Sequence, residues 1–207
     1  MENIKIKGVP TLEKANEMLA EAEKLNPGPW VKHSLYVAEG AKIIASNCCG
    51  MDAELAYIAG MLHDIGRRFG VTSMRHSIDG YNYLINEGYE YAGRICLTHS
   101  HPLKNIKEAF GKWDCSEDEY NFVENFLNKA QYDDYDKLIQ LCDALALPSG
   151  FTLMEKRMID VALRHGLNDY ILPKWKATFE IKQYFENKIG KSIYDLLPGV
   201  IKNTFEL

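Results

Sequence analysis

No run in this chain approaches the roughly 18 consecutive apolar residues that a membrane-spanning helix needs, so no membrane partner is expected. A basic excess is missing too: 24 Lys and Arg face 29 Asp and Glu, for a formal net charge of −5. Proteins that grip nucleic acid generally carry a basic surplus or stripe, so no nucleic-acid partner is expected. A small phosphorylated ligand stays open, because a few local cations suffice for it. The opening "MENIKIKGVPTLEKANEML" has no apolar core of signal-peptide length. There is no CxxC pair, and Cys48, Cys49, Cys96, Cys115 and Cys142 are odd in number. That usage predicts reduced thiols and a cytoplasmic location. Histidine is scarce, with six in the chain, and so is arginine (Arg67, Arg68, Arg75, Arg94, Arg157 and Arg164). Their placement therefore carries information.

What is present is an ordinary apolar supply. Hydrophobic residues make up 46% and charged residues 26% of 207, enough for one soluble domain with a sizeable core. No repeat, low-complexity tract or clear linker divides it. Helical spacing dominates. Thr11 predicts an N-cap, with Ala15, Met18, Leu19, Ala22 and Leu25 on one inward face. A second helix is predicted over about 30–48, with Val31, Leu35, Val37, Ala38, Ala41, Ile43 and Ile44 mostly inward. A third, about 53–65, is apolar nearly all round, which marks a central buried helix. Ser73 predicts a cap for a fourth, to about 86. Further helices are expected over about 91–98, 116–129, 135–147, 155–164 and 173–188, with Pro173 in the first turn of the last. Short irregular pieces are expected within 3–10 and 100–113. The fold class is all-α.

The histidines are His33, His63, His76, His99, His101 and His165. The first four fall within or at the ends of four successive predicted helices. Consecutive helices usually pack as neighbours, so one imidazole from each can point into one interior. "GMLHDIGRRFG" sets an ionisable pair, His63-Asp64, at the foot of an apolar helix. That is costly to bury unless it is paired or bound to metal. "LIQLCDALAL" holds a lone acid, Asp143, in another apolar helix. Neutral imidazoles with carboxylates suit Fe, Mn, Co, Ni or Zn. Four imidazoles and two carboxylates exceed one tetrahedral zinc site and match two ions with open positions, with Asp64 as the bridging and catalytic candidate. Arg67 and Arg68 follow by three and four residues. If the helix continues another turn, they face the same way and can bind substrate phosphate. His165 ends a helix and reads as a C-terminal charge partner.

Taken together, "HSLYVA", "GMLHDIGR" and "LCDALAL" resemble the HD-domain superfamily of metal-dependent phosphohydrolases over about residues 30–150. The resemblance implies an HD-type helical bundle in one domain, 1–207, with a C-terminal helical extension over about 151–207. It implies that His33, His63, Asp64 and Asp143 bind one metal. Some branches add two histidines that bind a second metal bridged by the doublet Asp, and His76 and His99 match those places. His101, after the helix end and before Pro102, is the less favoured spare. No "GYP" motif occurs, which disfavours the cyclic-dinucleotide phosphodiesterase branch. The branch that cleaves dinucleoside tetraphosphates shares the six-ligand layout.

The function implied is hydrolysis of a nucleotide or other small phosphoester by water activated at one or two divalent ions. Two alternatives remain. One is a di-iron oxygenase on the same ligand set; the other is a regulatory module that binds metal or nucleotide without catalysis. The aromatic, amphipathic tail from 151 is expected to pack on the core, with a lid or dimer surface as the other reading. A monomer or a homodimer is expected.

Overall fold

The computed structural model describes residues 8–207, so residues 3–7 of the irregular piece expected at 3–10 lie outside the described residues. The chain is built of α1 (Leu12–Leu25), α2 (Pro29–Ser46), α3 (Ala53–Leu62), α4 (Arg75–Asn86), α5 (Glu90–Thr98), α6 (Glu117–Lys129) and α7 (Asp134–Leu145). A two-residue antiparallel pair, β1 (Ala146–Leu147) and β2 (Gly150–Phe151), follows with Ala146 opposite Phe151. Then come α8 (Met154–His165), α9 (Ile171–Ile189), α10 (Ile193–Leu196) and α11 (Val200–Phe205). Short 3-10 turns cover Ile65–Phe69 and Ile106–Glu108.

The helix starts follow local chemistry. The Thr11 hydroxyl accepts from the Lys14 amide, and the Asp52 carboxylate from those of Glu54 and Leu55. Ser116 and Glu119 cap α6 reciprocally. The apolar faces then meet in one interior. α2, α3 and α7 bury Val37, Ala41, Ile44, Ala56, Leu138 and Leu141. α1 closes one side with Ala15, Met18, Leu19 and Ala22. α4, α5 and α6 close another with Ile78, Leu97, Val123 and Leu127.

Two glycines set how closely these parts approach. A Cβ on Gly60 of α3 would lie 2.7 Å from the Ala38 Cα of α2, so the two helices touch backbone to backbone there. A Cβ on Gly66 would lie 2.0 Å from the His76 carbonyl oxygen and 2.4 Å from the Gly80 nitrogen. The turn after α3 is thereby pressed onto α4, which brings the His63-Asp64 pair against His76.

Several expectations need correction. α3 stops at Leu62, and a 3-10 turn rather than another α turn carries the arginines. α7 ends at Leu145 because Pro148 disfavours helical backbone in the residue before it; Ala146 and Leu147 are extended. Ser73 does not cap α4. Met74 occupies that position, and the Ser73 hydroxyl instead accepts from the Lys112 amide. Leu25 (59% exposed) and Leu35 (38%) are not inward. Leu25 is the last residue of α1, and Leu35 falls off the face formed by Val31, Ser34, Val37, Ala38 and Ala41. In the tail, Phe185, Ile193, Leu197 and Val200 join the core under α7, as expected of a packed helix. α8 does something else: only Met154 and Met158 of it are buried.

Candidate metal centre

His63 is the residue at which α3 ends, His99 ends α5 in the same way, and His76 lies in the first turn of α4. Each of the three rings is tied to its own chain three residues back. Nδ1 of His63 meets the Gly60 carbonyl at 2.7 Å, Nδ1 of His99 meets that of Cys96 at 2.9 Å, and Nδ1 of His76 meets that of Ser73. A carbonyl only accepts, so Nδ1 carries the proton in all three. That leaves Nε2 as the ligand atom, the arrangement that orients an imidazole toward a metal, although at His76 this atom also has Arg67 Nη2 at 3.4 Å and the Ser77 hydroxyl at 3.5 Å.

The three Nε2 atoms converge on Asp64. Its Oδ1 is 3.1 Å from His76 Nε2 and 3.8 Å from His99 Nε2, while Oδ2 is 3.9 Å from His63 Nε2. His33, from α2, completes the first side: its ring centroid is 5.3 Å from that of His63. Potential ligand atoms thus gather in two groups, His33–His63–Asp64 and Asp64–His76–His99, each within 4.8 Å. Asp64 belongs to both, with one carboxylate oxygen toward each. Asp143, on α7, stands beside the first group with Oδ1 3.0 Å from His33 Nε2.

The electrostatics match the geometry. All four histidines and Asp64 are at most 7% exposed. Burial lowers the His63 pKa against the pull of Asp64. Burial, then the neighbouring His63, takes that of His99 down to about 3. Burial alone would raise the Asp64 carboxyl, but Arg67, then His76 and His63, hold it well below the ordinary carboxylate range. Burial opposes ionisation at Asp143 too, and the contact with His33 reverses the direction. Neutral rings and ionised carboxylates are the protonation states that a cation requires. His63 Nε2 and Asp64 Oδ1 are buried without a hydrogen-bond partner. Buried acceptors left unpaired in one cluster are costly unless a donor or a cation reaches them. By donor type and by this unmet need, the residues fit a divalent metal.

The arginines part company. Arg67 donates through Nε to Asp64 Oδ2 at 2.6 Å and lines the cavity above the cluster. Arg68 turns the other way. It pairs with Glu21 of α1 at 3.2 Å and lies 4.1 Å from the Tyr83 ring centroid. The reason is the 3-10 turn, in which residues three apart eclipse and residues four apart diverge. Arg68 is therefore not placed to bind a substrate at this site. His101 is fully buried, is stacked on Trp113 and donates to the Asn105 carbonyl, and it does not line the cavity. His165 does line it, from the last turn of α8, and burial and then the adjacent Arg164 and Arg157 lower its pKa.

The cavity has a volume of about 750 Å³, within the range of small-molecule sites. Its wall includes residues that the sequence did not point to: Trp30, Phe110, Gln140, Lys174 and Trp175. Gln140 had a signal, being a lone amide one turn before Asp143 on an apolar helix. Its amide nitrogen donates to the Thr98 carbonyl, and its oxygen has no partner. Lys174, from α9, donates to the Ser100 carbonyl at 2.7 Å.

A helical domain whose imidazoles and carboxylates meet at helix ends beneath one cavity has the groups that could hold a metal. The family model of the HD domain matches residues 30–147, more than half of the chain, and the chain belongs to that family. HD domains bind divalent metals and are generally metal-dependent hydrolases. The matched span includes all six expected ligands and ends before α8. No curated protein and no solved structure matches the chain.

Proposed function

We propose that this protein is a metal-dependent phosphohydrolase acting on a phosphorylated small molecule, with a nucleotide as the favoured substrate. One observation carries the reading: three imidazoles, locked with their lone pairs on Nε2, converge on the two oxygens of Asp64 at the floor of a ligand-sized cavity. His33, His63, Asp64 and Asp143 would hold one divalent ion, and Asp64, His76 and His99 a second. When bound, such ions supply Lewis acidity toward a phosphoryl oxygen and make water a nucleophile near neutral pH.

The chain's own residues supply the rest. Asp64 joins the two halves of the cluster. Arg67, whose guanidinium reaches the cluster from the cavity wall, is the group for a phosphoryl oxygen. Trp30, Phe110 and Trp175 offer aromatic surface to a base or other ring. Gln140 stands in the wall between α7 and α5, fixed by its bond to the Thr98 carbonyl.

The test is metal content by elemental mass spectrometry on protein purified without chelator, followed by phosphate release from a panel of nucleotides and phosphoesters, in air and under argon. Bound metal and release that is independent of oxygen are expected. A protein that takes up no Mn, Fe, Co, Ni or Zn would sink the proposal, and turnover only with oxygen uptake would replace it by an oxygenase.

A further inference from the structure

The cavity has a second cationic end, which the cluster does not use. Outside the cluster, Arg157 and Arg164 of α8 and Lys174 of α9 line it, against one carboxylate, Asp160. The two arginines are seven residues apart, about two turns along one face of α8. Among the described residues, none of the three cations has a carboxylate oxygen within 4.0 Å. Arg164 donates only to the Asp160 backbone carbonyl, at 3.3 Å, and Lys174 only to the Ser100 and Glu108 carbonyls. Burial and then the nearby Arg157 lower the Arg164 pKa, so the two guanidinium groups are close enough to repel. In a chain with five more acids than bases, these three cations line one cavity without a salt bridge, although burial lowers the Lys174 pKa against the pull of Glu108 and Asp143. An anion that joins such a group relieves its repulsion.

We propose that Arg157, Arg164 and Lys174 form a second phosphate subsite, and that the substrate is a small organic molecule with two separated phosphates, one held here and one hydrolysed at the cluster. Guanidinium groups suit a phosphate because their planar donors match its oxygens, and three positive charges match a dianion better than a carboxylate. The apolar wall of Trp30, Phe110 and Trp175 accommodates the part of the molecule that links the phosphates. The inference rests on the phosphohydrolase reading for the reacting phosphate alone. The subsite itself lies on α8 and α9, beyond the residues matched by the family model.

The experiment uses hexane-1,6-bisphosphonate and hexylphosphonate, whose C–P bonds the proposed reaction leaves intact. Both are titrated by calorimetry into the full-length, metal-loaded protein and into its Arg157→Gln/Arg164→Gln variant. The wild type is expected to prefer the bisphosphonate by about tenfold or more, the worth of one or two charge-assisted hydrogen bonds. The variant is expected to bind the two probes alike. An Arg157→Lys/Arg164→Lys variant keeps the charge and should keep most of the preference. Equal binding by the wild type, a preference that survives in the Gln pair, or its complete loss in the Lys pair would overturn the subsite. The two readings fail separately: absence of phosphate release removes the hydrolase, and absence of the bisphosphonate preference removes the subsite.

Discussion

Nε2 of His76 and Oδ1 of Asp64 lie 3.1 Å apart, and Arg67 reaches both residues, with Nε 2.6 Å from Asp64 Oδ2 and Nη2 3.4 Å from His76 Nε2. His99 and His63 turn their Nε2 atoms to the same carboxylate, at 3.8 and 3.9 Å. Asp64 is thus the hinge of both ligand groups.

Replacing it should empty both. Asp64→Ala is expected to lose bound metal and to cut phosphate release by more than about 100-fold, as loss of a ligand costs more than loss of its supporting partner. His76→Ala should differ: one ion remains and the other is lost, read as a fall in elemental content from about two to about one per chain. Loss of both ions in His76→Ala, or of neither, would count against a division of labour between the groups.

The two arginines should separate in the same way as their positions. Arg67→Ala is expected to raise KM for a phosphoester by about tenfold, the worth of a charge-assisted hydrogen bond. Arg68→Ala should leave KM alone and lower stability by about 1–2 kcal/mol, through lost stacking on Tyr83 and lost pairing with Glu21. Steady-state kinetics and denaturant titration distinguish them. An Arg68 variant with a raised KM would overturn its placement.

Gly66→Ala tests the close approach beneath the site. The new methyl would stand 2.0 Å from a carbonyl oxygen of α4, so α3 and α4 must separate. A loss of about 3 kcal/mol is expected in urea titration, with weaker metal binding because His76 moves away from Asp64. Unchanged stability would mean that the two segments are not pressed together.

Glu108 predicts a pH dependence of stability. Its carboxyl is fully buried, and burial raises its pKa to about 7 from 4.5, against the pull of Lys174 and of the Asn105 and Leu103 amides. The folded state keeps a proton that the unfolded chain has released between those values. The contribution to stability is therefore full below pH 4.5 and is lost as pH rises through 7, by about 3 kcal/mol in all. Glu108→Gln cannot titrate, so the difference between wild type and variant should carry this slope. Parallel stability curves from pH 4 to 8 would refute it.

The sequence showed the helices and the ligand candidates because each leaves a local mark: a cap, a periodic apolar face, or a polar residue where an apolar one belongs. His63-Asp64 and Asp143 stand out in that last way. The direction of Arg68 was not legible, since it turns on whether one short segment winds as α or 3-10 helix, a difference that Gly66 and its contact with α4 settle. Nor was Lys174, which lies on a remote helix and reaches the cavity only through tertiary packing. The short α10 and α11 and the β1–β2 pair were missed because segments of two to six residues offer too few positions to show a period.

Each of the three rings on Asp64 takes its bearing from a carbonyl three residues behind it, on its own stretch of chain. For His63 and His99 that carbonyl belongs to the helix the ring ends, whereas Ser73 behind His76 is itself held by Asp114 and Lys112. Helices α8 and α9, which carry Arg157, Arg164, Lys174 and Trp175, take no part in that aiming, so the outer wall of the cavity can change without turning the imidazoles. What enters the cavity and what happens at its base are thus encoded in separate stretches of this chain.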